Sequence, residues 1–198
     1  MTSHAAPSPH QKGAAAPPGD PGIWMFLSAD IFMFGLFFLI FIFERAQAVT
    51  LFEQSRLLLD PWTGLLNTFF LLTSSWFMVG AVEAAREGRA GRLQRYLVLS
   101  FAAGSGFGVL KMTEYVEKIR GGISMLTNDF FMYYFVFTGV HFLHYLVGMA
   151  VLALVFFKVR GRPAGPGNLI WVESTACYWH MVDLLWLMLF PLLYLLRA

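Results

Sequence analysis

Cys177-Tyr178-Trp179-His180-Met181-Val182-Asp183-Leu184-Leu185-Trp186 is the stretch whose reading decides the fold. It lies inside an apolar segment, Leu169 to Leu196, and about 20 apolar residues suffice to cross a bilayer as a helix. Yet His180 and Asp183 stand near its middle, three residues apart, and positions i and i+3 share one helix face. Glu173 falls two turns before His180 on roughly the same stripe. Ionisable groups at bilayer depth are costly and normally face a protein interior or a water path. This face is therefore expected to meet polar faces on other spans.

The rest of the chain is of the same kind. Of its 198 residues 58% are hydrophobic and 13% charged, where a soluble domain carries about a quarter charged. Several apolar runs reach spanning length, and they are continuous rather than alternating, which excludes a β-barrel. A single Cys, Cys177, excludes an intrachain disulfide and a thiolate metal cluster; it reads as a small packing residue. The formal charge of +2 names no partner class, and no nucleic-acid partner is expected. The polar N-terminus lacks a short apolar core with an A-x-A-like site, so no cleaved signal peptide is expected.

Residues 1–21, rich in Ala and Pro with His4 and His10, read as a flexible tail. Residues 22–198 read as one transmembrane domain with spans at about 22–43, 64–82, 96–117, 130–157 and 169–196. The predicted class is all-α, a polytopic bundle of five transmembrane helices. Residues 44–62 read as a polar connection, and 83–95, with Arg86, Arg89, Arg92 and Arg95, as a basic loop. That loop is either a patch for anionic lipid or a partner, or simply a cytoplasmic loop. Residues 158–167 form a second basic turn, with Lys158, Arg160 and Arg162. Basic residues concentrate on the N-terminal side, which predicts a cytoplasmic N-terminus. Asn67 is expected to hydrogen-bond between helices, and Gly104, Gly108, Gly139 and Gly148 to allow close helix approach. The glycines at 104–108 are no nucleotide loop, because no strand precedes them. No internal repeat is visible, which disfavours a transporter built from inverted repeats.

The ionisable groups inside the spans are Asp30, Lys111, Glu114, His141, His144, Glu173, His180 and Asp183. Each charge at mid-bilayer costs about 2.5–3.5 kcal/mol, and proteins are stable by only a few such amounts. The groups must be neutral, paired, or both. His180 with Asp183 and Lys111 with Glu114 are the obvious pairs within a helix; His141 and His144 need partners from Asp30, Glu114 or Glu173. A structural network, proton exchange and a metal site all remain open at this point. His141 and His144 share a face and cannot both ligate one haem, but either of them with His180 can.

These positions, in order, resemble the subunit III family of haem-copper oxidases over nearly the whole chain after the tail. Tyr178-Trp-His180-Met-Val-Asp183-Leu-Leu-Trp186, with Tyr194 near the end of the span, is similar to the family's W-H-x-V-D-x-x-W helix. Thr138-Gly-Val-His141-Phe-Leu-His144-Tyr-Leu-Val-Gly148 is similar to its T-G-x-H-x-x-H-x-x-x-G helix, Glu114-Tyr115 to its Glu-Tyr, and Leu66-Asn67-Thr68 to its L-N-T. The resemblance implies a subunit with no catalytic residue, metal or other cofactor of its own. It implies a partner, the haem-copper catalytic membrane subunit that carries the haem and metals, together with bound phospholipid. It also implies a place in the bacterial inner membrane and a role in assembly, stability or proton supply.

Three departures stand out. Asp30 falls where many members have a buried Glu, Lys111 stands where Gln is common, and the chain has five spans rather than seven. The two missing spans form one wall of the family's lipid-holding cleft. Five-span members occur in quinol oxidases and bacterial cytochrome oxidases. They also occur among NorE-type proteins associated with nitric oxide reductase, which the closing Leu189-Phe-Pro-Leu-Leu-Tyr-Leu-Leu-Arg197 resembles most. Two other functions compete. A stand-alone haem or quinone oxidoreductase predicts a Soret band lost in His180→Ala. A small proton translocator using Asp30, Glu114 and His180 predicts flux in liposomes without a partner.

Overall fold

A computed structural model describes residues 18–161 and 166–196. The expectations for residues 1–17, including His4 and His10, and for Arg162, Pro163 and Arg197 fall outside the described residues. The elements are α1 (Pro21–Gln47), α2 (Val49–Arg56), α3 (Pro61–Arg86), α4 (Ala90–Arg120), α5 (Asp129–Val159) and α6 (Pro166–Phe190), closed by a π-helical turn at Pro191–Leu195. Among the described residues five helices are long and apolar enough to cross a membrane, and they form an all-α polytopic bundle.

Local chemistry sets the helix starts. Asp20 and Asp60 each precede a Pro at the first helical position, where proline's missing N–H costs nothing. The Asp20 carboxylate accepts from Gly22 N–H at 2.8 Å, and Asp60 from the N–H groups of Trp62 and Thr63 at 3.1 and 3.2 Å. Asn128 caps α5 in the same way through Phe131 N–H. The α3 end is a Schellman turn. Gly88 takes φ +72°, Gly88 N–H reaches Ala85 O and Arg89 N–H reaches Ala84 O.

The predicted polar connection at 44–62 is corrected: α1 runs on to Gln47 and most of the remainder is α2. Phe52 of α2 is buried against Phe41 of α1 and Phe130 of α5, so a tertiary aromatic cluster holds a helix in a stretch whose charges read as loop. The π-helical turn has a local cause. Pro191 has no N–H to give the ladder, and Leu196 N–H bonds back five residues to Pro191 O at 2.9 Å.

α6 is the central element, with 61% of its most apolar stretch buried against 22% for α1. It packs on α3, α5 and α1, while α3 and α4 form the tightest pair. Ser74 and Ser100 lock that pair reciprocally: Ser74 Oγ donates to Ser100 O at 2.7 Å and Ser100 Oγ donates to Ser74 O at 3.0 Å. Of the glycines expected to pack, Gly104 and Gly148 face Trp179, and Gly108 faces the Tyr145 hydroxyl. They make room for aromatic side chains of neighbouring spans. Gly139 is corrected: nothing lies within 4 Å of where its Cβ would be.

Candidate functional site

The buried ionisable groups divide into separate clusters, each built where two or three helices meet.

The first surrounds Lys111 of α4, which is fully buried. Its Nζ donates to Glu114 Oε2 at 3.0 Å, to Tyr134 Oη at 3.1 Å and to Tyr194 Oη at 3.0 Å. All three ammonium donors are used. Both phenols in turn donate to Glu114 Oε1, at 2.7 and 2.6 Å. The Nζ also lies 4.8 Å from the Tyr134 ring centre and 5.3 Å from that of Trp186. The cation is neutralised one helical turn away and solvated by α5 and the closing turn. Geometry of this quality is what a buried ion pair needs to offset its desolvation. Tyr134 was not singled out from sequence; a phenol on the face of α5 that also carries Thr138 and His141 was the available signal.

The second joins α1 to α5. His144 Nδ1 faces Val140 O at 2.8 Å and must carry a proton to donate to it. Its Nε2 lies 3.3 Å from Asp30 Oδ2. With Nδ1 committed, a favourable contact needs one proton between Nε2 and the carboxyl. His144 thus finds its partner on another span. His141, three residues earlier, points elsewhere: its Nε2–H donates to Val182 O at 3.0 Å, between Phe107 and Trp186, while Nδ1 has no partner among the described residues.

The third lies between α3 and α6. The expected intrahelical pair is present at the long end of an ion-pair contact: His180 Nδ1 is 4.0 Å from Asp183 Oδ2, while its closer partner is Ser75 Oγ of α3, at 2.5 Å. The physical reason is the tight α3–α6 contact, which brings a hydroxyl nearer than the next turn's carboxylate. Asp183 is 4% exposed, and neither carboxylate oxygen has a hydrogen-bond partner among the described residues. Asn67 is also buried with its amide unpartnered, against expectation; Thr68, one residue on, takes the interhelical bond from Trp186 Nε1 at 3.0 Å.

His180 opens onto a cleft of about 470 Å³, lined at its outer end by Glu83, Arg86 and Glu173. Glu173 is not in contact with the buried acids. It accepts from Arg86 at 2.8 Å and from Gly19 N–H at 3.2 Å, which ties the start of α6 to the end of α3. The Arg86–Glu173 pair and His180 thus line one cleft, and on its inner side His180 bonds Ser75 and lies 4.0 Å from Asp183. Among the described residues no three His, Cys, Asp or Glu side chains are grouped to hold a metal ion.

The model of the cytochrome c oxidase subunit III family matches residues 19–197. The chain belongs to that family. It is 26% identical over 175 residues to a quinol oxidase subunit 3 of Bacillus subtilis, covering 88% of this chain and 85% of the relative. It is 28% identical over 181 residues to a probable cytochrome c oxidase subunit 3 of Mycobacterium tuberculosis, covering 89% and 87%. A heme-copper oxidase subunit I+III of Aeropyrum pernix matches at 28% over 180 residues, covering 87% of this chain and 22% of that longer protein.

The motifs by which the sequence resembles subunit III lie at contacts between spans. Trp179 and Trp186 bond to Ser74 and Thr68 of α3, and Glu114 collects Lys111, Tyr134 and Tyr194. Ser75 lies in the small polar run Thr73-Ser74-Ser75, which suits hydrogen bonds between helices, and Tyr134 is the partner this subunit III chain adds to the residues expected from sequence.

Proposed function

We propose that this chain is the non-catalytic third subunit of a haem-copper respiratory complex, seated beside the catalytic subunit in a bacterial inner membrane. One observation carries the reading: the family match over residues 19–197. The fused Aeropyrum relative, whose name joins subunits I and III in one chain, supports a direct contact with a catalytic subunit. The relatives are named for quinol and cytochrome c oxidases, which supports an oxidase as the partner. The closing stretch from Leu189 to Arg197 favours a second partner, nitric oxide reductase.

Within the complex the chain supports assembly and stability through its paired buried charges. It also supplies protons from the cleft lined by Arg86, Glu173 and His180 inward through His180 and Ser75 to Asp183. A carboxyl kept in a low-dielectric site with only a 4.0 Å contact to His180 costs stability, which is a reason to look for a role in proton exchange. The basic end of the bundle, with Arg86, Arg89, Arg92 and Arg95, faces the cytoplasm.

The test is a mild-detergent affinity purification from native membranes with mass-spectrometric identification of what comes along. Recovery of a haem-copper oxidase subunit is the expected result. Recovery of a nitric oxide reductase subunit would move the chain to the second partner. Recovery of the chain without any haem-copper subunit would contradict the proposal.

A further inference from the structure

Six described basic side chains crowd the end of the bundle where α3 ends, α4 begins and α5 ends. Four of them have partners. Arg86 holds Glu173 at 2.8 Å, Arg89 and Arg92 share Glu87 at 3.2 and 3.6 Å, and Lys158 Nζ lies 3.6 Å from the Trp171 ring centre. Arg95 and Arg160 have no ion pair or hydrogen bond from their side chains among the described residues. Both are exposed, and both line one cleft between α4 and α5, together with Gln94, Val98 and Phe156. Val98 and Phe156 also wall an adjoining cavity of about 240 Å³. Every side chain lining that cavity is apolar, among them Phe101, Leu152 and Ala153. Two uncompensated guanidinium groups thus stand at the mouth of an apolar slot between membrane-length helices.

We propose that the α4–α5 groove binds an anionic phospholipid, with its phosphate held by Arg95 and Arg160 and an acyl chain in the slot beside Ala153. The arginine fork matches phosphate oxygens and carries a charge that no described residue at the site offsets. Basic side chains near the bilayer surface attract anionic headgroups. The slot offers no polar side chain, so it suits hydrocarbon rather than a soluble anion. Both walls are spans present in this chain, so the groove differs from the family's lipid cleft, one wall of which this chain lacks. The site also gives the basic stretch after α3 an assignment that the subunit role leaves open.

The test titrates the purified full chain in detergent with phosphatidylglycerol and, separately, phosphatidylcholine, and reads bound lipid by native mass spectrometry. The wild type is expected to retain phosphatidylglycerol well above phosphatidylcholine. The double variant Arg95→Gln/Arg160→Gln should lose roughly thirtyfold in phosphatidylglycerol retention, the product of two basic contacts at a membrane surface, with phosphatidylcholine unchanged. Both positions are exposed and unpaired, so this variant keeps its fold, which a thermal melt checks. Ala153→Trp fills the slot and should weaken retention with both arginines in place. Unchanged retention in the arginine variant overturns the headgroup site. Unchanged retention in folded Ala153→Trp overturns the acyl slot and leaves surface charge alone. A dimer that the arginine variant dissolves would put a second copy in the groove and also overturn the proposal.

Discussion

Lys111 and Asp183 are both buried charges, and they differ in how they are met. Lys111 has every donor used and a carboxylate 3.0 Å away. Removing one member of such a pair strands the other, at a cost of about 3–5 kcal/mol. Lys111→Met should therefore lower the melting temperature sharply, because Glu114 stays buried. Adding Glu114→Gln keeps an acceptor for Tyr134 and Tyr194 and should restore most of the loss. Asp183 has only a long contact, 4.0 Å to His180 Nδ1, so Asp183→Leu should melt within about 1 kcal/mol of the parent or above it. If Asp183 exchanges protons, that stable variant should still slow turnover of the isolated complex. A variant that unfolds would show that the carboxylate holds the bundle together. At this scale the sequence revealed which groups are buried, because an ionisable residue in an apolar run is conspicuous. It revealed the Lys111–Glu114 pair, which i,i+3 spacing makes possible and the Tyr134 and Tyr194 hydroxyls hold in place. It did not reveal that His180 turns to Ser75, because that depends on how α3 and α6 approach.

The helices make sharper predictions about packing. A Cβ at Gly148 would meet the Trp179 ring at 2.7 Å, whereas one at Gly139 meets nothing within 4 Å. Gly148→Ala should cost about 1–3 kcal/mol by overpacking. Gly139→Ala should be neutral or slightly stabilising, since alanine is the better helix former by about 1 kcal/mol. Paired thermal melts separate the two. Helical register distinguishes the two glycines: Gly148 stands two turns after His141 on the buried face of α5, and Gly139 lies on the opposite face. Helix starts were more legible: Asp20-Pro21 and Asp60-Pro61 each combine a cap with a proline at the first turn. The α2 helix was not, because its hold on the bundle is one phenylalanine buried by distant rings.

The α3 cap also titrates. The Thr63 hydroxyl and the N–H groups of Trp62 and Thr63 hold the Asp60 carboxyl below the usual carboxylate range. A depressed folded pKa contributes stability that is fully present above the ordinary carboxylate value and is lost as pH falls through the folded one. Asp60→Ala should cost about 1 kcal/mol near neutral pH. The gap between the two melting curves should close as the pH drops below about 4.

In the whole molecule, α6 is the span on which α1, α3 and α5 are assembled. It is the most buried span, its tryptophans bond to α3, and its His180 faces the cleft at the α3 side. Such a chain is organised to hold a fixed shape within the bilayer while leaving one polar opening. Haem chemistry is expected to belong to a partner and not to this chain. The direct measurement is haem per copy of the chain, read from the absorption spectrum of the tagged complex before and after the partner is stripped by stronger detergent. The expected result is a Soret band in the intact complex that leaves entirely with the catalytic subunit. A band that stays with the stripped chain at about one haem per copy, and disappears in His180→Ala, would contradict it.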